Sequence, residues 1–140
     1  MTQQVRSLWL ARLLIGAVLG MNAQAALAFL FTPADYAPAL ELSGLGGAAL
    51  VQAVGLLFLM WNVPYAVAAW HPLRRRVSLW EAVAMQTLGV VGETLIWRGL
   101  GPGHPALEST VLRFIVFDAG GLAALLAAAW ITRAGLNSRP

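Results

Sequence analysis

The chain has 140 residues, 59% of them hydrophobic and only 11% charged, with a mean hydropathy of +0.72; a soluble globular domain carries roughly a quarter charged residues, so that class is excluded in favour of an integral membrane protein. The net charge of +3 comes from nine arginines and no lysine against six acids, and the arginines stand at segment ends, where orientation signals lie, so they do not point to nucleic acid. With no cysteine, disulfides, thiol redox chemistry, iron–sulfur clusters and thiolate metal sites are excluded, and a quinone-linked dithiol mechanism with them.

A chain of this length has room for about four crossings in a single domain, 1–140. The first apolar run, residues 8–31, follows Arg6 and Arg12 and is too long for the apolar region of a signal peptide, so it reads as a retained helix. Gly16 and Gly20 stand four apart, with Gln24 one step further along the same stripe and Asn22 elsewhere on the circumference. Small residues at this spacing let another helix approach closely, and the expected partner is a helix of the same bundle rather than a second copy. Thr32 suits a cap and Pro33 a first helical position, so residues 33–42 are expected to form a short interfacial segment, made acidic by Asp35 and Glu41.

Ser43 and Gly44 open the second crossing, 45–70. Here Gln52, Gly55, Leu59 and Asn62 are separated by three, four and three residues, which reads as a polar stripe facing the bundle. Pro64 removes a backbone donor and leaves the Met60 carbonyl without its usual partner, which predicts a bend repaired by local hydrogen bonds, with Asn62 at hand for that task. Arg74, Arg75 and Arg76 follow, and Ser78 with Glu81 match a capping box at the start of the third crossing, 78–98. Gln86 and Glu93 lie seven apart on one face of it, with Gly89 and Gly92 nearby. The glycine-rich stretch 99–103 breaks the helix. The fourth crossing, 106–132, carries Arg113 and Asp118 and then Gly120, Gly121, Ala124 and Ala128; the tail from 133 reads as polar and frayed.

Arg6, Arg12, Arg74, Arg75, Arg76, Arg133 and Arg139 fall on one side of this topology and only Arg98 and Arg113 on the other. The positive-inside rule therefore places both termini and the triple-arginine turn in the cytoplasm, and the protein in a prokaryotic plasma membrane. In that frame Glu93 lies about 6 Å inside Trp97 and Arg113 about a turn below the outer end of its helix, so a salt bridge between them is expected. Asp118 is about 140° around the helix from Arg113, and must look toward Gln24, Gln52 or Gln86 or take a proton. The candidate polar cluster in the outer half is thus Glu93, Arg113, Asp118, Gln52, Gln86, Gln24 and Asn62. It has two accounts, a set of contacts that fixes helix register and a pocket that holds a polar group.

His71 and His104 lie on opposite faces and cannot share a metal or haem. There is no phosphate cradle, nucleophile elbow or zinc-protease spacing, so no catalytic residue, metal or resident cofactor is predicted, and a bound lipid or quinone is the ligand the cluster would suit. Trp9, Trp70, Trp80, Trp97 and Trp130 read as interfacial anchors, and the deeper Trp61 as core packing.

Arg12 leading into Gly16 and Gly20, the outer loop around Pro33, the stretch LVQAVGLLFLMW, and Arg113 opening a glycine-rich last helix together resemble the small four-helix membrane proteins that include the DoxX-like families. The resemblance implies an all-α, up-down four-helix bundle and, for some members, association with respiratory or redox machinery; it carries over no catalytic residue. The functional expectation is an accessory subunit or ligand- or lipid-binding bundle without enzymatic activity, docking as a homo-oligomer or onto a larger membrane complex. The alternative is a small proton-coupled transporter in which Glu93 or Asp118 exchanges protons. An intramembrane enzyme acting on a lipid or isoprenoid ranks third.

Overall fold

The computed structural model describes residues 3–137, with side chains placed over 5–133; Arg139 and the end of the tail lie outside the described residues. Among them the chain is helical with no strand: α1 (Gln3–Phe31), α2 (Pro33–Tyr36) running into a 3-10 turn (Ala37–Leu40), α3 (Gly44–Trp70), α4 (Arg76–Gly99) and α5 (Pro105–Asn137). Three of these helices, α1, α3 and α5, are long and apolar enough to cross a membrane. The 24-residue α4 is long enough but carries Glu81, Gln86 and Glu93, which lower its apolar character.

The four long helices form a ring. α1 packs against α3 and α5, and α4 packs against α3 and α5; across the diagonals the backbones stay apart and only side chains such as Phe58 and Phe114 meet. Short connections force neighbours to run antiparallel, and side chains pin both ends of the α1–α3 pair. Arg12 reaches across to the last carbonyls of α3, donating to Ala69 at 3.1 Å and Trp70 at 2.5 Å. At the opposite end Gln52 Nε2 donates to the Leu30 carbonyl at 3.1 Å.

Inward-facing residues recur every seven positions: Ile15, Asn22 and Phe29 on α1; Val51, Phe58 and Tyr65 on α3; Leu79, Gln86 and Glu93 on α4; Val111, Asp118, Leu125 and Thr132 on α5. A strict seven-residue repeat keeps one seam of each helix turned to its neighbours, as in left-handed bundles. Apolar members of these lines form two cores. One, at the arginine-rich end, gathers Ile15, Val18, Tyr65, Leu79, Leu125 and their neighbours, with Trp61 packed against it. The other, toward the interfacial segment, groups Phe29 and Val51 with Phe58 and Phe114. The rings of Phe29, Tyr36, Phe58 and Phe114 lie 4.9–6.5 Å apart there. Gln86 and Asp118 fall between the two cores.

Several local expectations need correction. Close helix approach rests on Gly55, where an added Cβ would come within 2.9 Å of the Ala26 carbonyl oxygen and of Phe29 Cβ. Gly16 and Gly20 have open space beside them, turned about 100° and 140° from the inner line at Ile15, so the expected packing groove within the bundle does not form there. Thr32 makes no cap for α2; its hydroxyl donates back to the Ala28 carbonyl at 3.1 Å. The capping box at Ser78 does not form either, since α4 begins two residues earlier and places Ser78 inside the helix. Pro64 lies inside α3, which continues as one helix, compatible with the expected bend. The five tryptophans read as anchors are all exposed at helix ends.

Candidate functional site

The seam where α3, α4 and α5 meet carries a hydrogen-bonded chain. Gln86, 2% exposed, accepts from the Tyr65 hydroxyl at Oε1, 2.5 Å away, and donates from Nε2 to Asp118 Oδ1 at 2.9 Å and to the Asp118 carbonyl at 3.2 Å. The Tyr65 hydroxyl also lies 3.3 Å from the Ala82 carbonyl. A glutamine suits this position because its amide has both an acceptor and a donor, one for each neighbour.

Two glycines make room for the chain. A methyl group at Gly89 would collide with Asp118 Oδ2, and one at Gly121 would come within 2.7 Å of Gln86 Nε2. A Cβ at either position would push the Asp118 or Gln86 side chain away from its present place.

Glu93 extends the same line of α4 two turns toward the interfacial segment and lies within electrostatic reach of Asp118. Its Oε2 is buried without a hydrogen-bond partner. Asn62, 6% exposed, donates to the Phe58 carbonyl at 3.0 Å, while its Oδ1 is also buried without a partner. Both orphaned atoms are acceptors. In a low-dielectric setting an unpaired polar atom costs about 1–3 kcal/mol, and each will take a donor that reaches it.

The structure therefore joins Gln86 to Asp118 and brings Glu93 near, with Asn62 buried on the adjoining helix. It does not bring in the other three candidates. Gln24 is exposed on the outer side of α1. Gln52 is exposed and spent on the α1 carbonyl. Arg113 is exposed, and its Nη2 donates to Thr110 Oγ1 at 3.3 Å. The expected Glu93–Arg113 salt bridge is absent, because turning Asp118 into the seam swings Arg113, about 140° away, out of it. The cluster also lies nearer mid-bundle than expected: Gln86 is ten residues, about 15 Å, from the first residue of α4.

Residue patterning alone did not point to Tyr65, although it stands on a seven-residue line with apolar residues already identifiable. The other missed contact is at the bundle end near the interfacial segment. Glu41, in a left-handed backbone conformation with φ 57°, takes the His104 ring nitrogen at 2.5 Å and the Leu107 N–H at 3.3 Å. Thr110 Oγ1 donates to the Ala39 carbonyl at 2.7 Å. This is the ion pair seen among the described residues. The His104 hydrogen bond holds the Glu41 carboxyl below its usual 4.5 against the opposing effect of desolvation, with a lesser contribution from the Leu107 N–H. Both interactions clamp the segment onto the start of α5, where a carboxylate also complements the helix dipole.

Among the described residues no three metal-ligating side chains come together. No family model, curated protein or solved structure matches the chain.

Proposed function

We propose that this protein is a four-crossing bundle of the plasma membrane, with α4 as the fourth crossing and both termini on the cytoplasmic side, and that it acts as an accessory subunit or ligand- or lipid-binding bundle. The topology is supported by Arg12, Arg74, Arg75, Arg76 and Arg133 standing at one end of the ring, against Arg98 and Arg113 toward the other. The binding reading rests on one observation, the two buried acceptors left without a donor, Asn62 Oδ1 on α3 and Glu93 Oε2 on α4. A ligand offering a hydroxyl or amine meets that need. The open side of α1 at Gly16 and Gly20, with Gln24 exposed beside it, supports docking of a second copy or a larger complex.

The test is mass spectrometry of what is extracted from the purified protein. A hydroxyl- or amine-bearing amphiphile should accompany the wild type and be lost from Asn62→Leu and Glu93→Gln. Identical extracts from all three would leave the cluster as a register-fixing contact and defeat the binding role.

A second reading, proton-coupled transport, is favoured by Glu93 and Asp118 lying within electrostatic reach of one another, neither ion-paired among the described residues, and by Pro64 within α3, a place where that helix can flex. It requires pH-driven flux in liposomes that disappears in Glu93→Gln with Asp118→Asn. Flux unaffected by both changes removes it.

A further inference from the structure

We propose that the groove between the arginine-rich ends of α4 and α5 binds the phosphate of an anionic phospholipid. The groove has a volume of about 610 Å³ and is lined by Arg76, Val77, Trp80, Glu81, Ala84 and Arg133. Its mouth is cationic. The Arg133 guanidinium lies 6.0 Å from the Trp80 ring centroid, Arg76 is the first residue of α4, and neither pairs with Glu81 among the described residues. α4 also starts without a side-chain cap. The first bond into the helix runs from Leu79 N–H to the Arg75 carbonyl, so the amides of Val77 and Ser78 lack a backbone acceptor on the same rim. Two guanidinium groups and an uncapped helix start together favour a phosphate oxygen cluster.

The rest of the groove identifies the phosphate as a lipid's. Val77, the Trp80 ring and Ala84 give it an apolar wall that follows α4 away from the charged end, the direction an acyl chain takes into the bilayer. Basic pockets between membrane helices at the cytoplasmic surface are suited to such head groups. The groove on the other flank of α4 supplies a contrast. At about 510 Å³ it is comparable in size, but it is lined by Val63, Pro64, Val67, Met85 and others, with Glu81 as its one charged residue. Charge, rather than space, separates the two. The inference needs the chain to lie in a bilayer and does not depend on the Gln86–Asp118 cluster.

The experiment is native mass spectrometry of the full chain released from vesicles of equal phosphatidylglycerol and phosphatidylcholine. The expected result is one phosphatidylglycerol retained per chain in preference to phosphatidylcholine, with retention falling roughly tenfold in Arg76→Gln/Arg133→Gln. Arg74→Gln/Arg75→Gln removes the same charge outside the groove and should retain the lipid. If the groove double variant does not fold, Ala84→Trp fills the apolar wall while leaving both arginines and should exclude the lipid as well. Equal retention of the two lipids, or equal loss in both double variants, overturns the proposal. Displacement of the lipid by inorganic phosphate alone overturns its lipid assignment in favour of a free-phosphate site.

Discussion

Five positions separate Arg113 from Asp118, and on a helix that interval places them about 140° apart, so both cannot face the same neighbour. Asp118 follows Val111 and precedes Leu125 on the buried line of α5, and its partner is the neutral amide of Gln86 rather than a guanidinium. A neutral partner avoids the desolvation of two full charges, the largest penalty in a buried ion pair. Glu41 shows the opposite solution at the exposed bundle end, a charged acid held by a ring nitrogen and an amide. Because the folded protein holds Glu41 below the ordinary value of 4.5, its contribution is fully present above about pH 4.5. It is lost as the pH falls through the lower folded value. Hydrogen exchange, corrected for the intrinsic rate, should therefore show steady protection of the Leu107 amide down to about pH 4.5 and a decline below it. Glu41→Gln should abolish that step.

The seven-residue lines explain how helices of such uniform hydrophobicity choose a face. In α3 the stripe Gln52, Gly55, Leu59, Asn62 covers about 80° of the circumference beside the core line Val51, Phe58 and Tyr65, and its Gly55 and Asn62 edge is the part that meets the interior. Contact between α1 and α3 is governed by backbone approach at Gly55, where the blocking atoms include a carbonyl oxygen and the Leu30 amide nitrogen and so cannot be moved by a rotamer change. Gly55→Ala should lower stability in a detergent-unfolding assay by about 1–3 kcal/mol. Gly16→Ala and Gly20→Ala, set in open space, should be neutral or stabilise by up to about 1 kcal/mol through helix propensity. A loss at Gly16 equal to that at Gly55 would mean that the outer side of α1 is a packed face.

Across the whole bundle, the number of crossings turns on α4, the least apolar of the long helices. Since the chain has no cysteine, single replacements report topology without background. Arg75→Cys and Gly101→Cys should react with an impermeant maleimide from opposite sides of sealed vesicles; reaction from the same side would mean that α4 does not cross. Membrane class and the four long helices were legible from residue order, because apolar run length, glycine and proline breaks and arginine placement are local signals that the bilayer reads one segment at a time. So was the shared face of Gln86 and Glu93. Which acid meets which partner was not legible, because the rotation of each helix about its axis is set only when the neighbours pack. That rotation turned Asp118 to Gln86 and Arg113 outward, moved the close approach from Gly16 to Gly55, and carried Glu41 to His104 across 63 residues of chain.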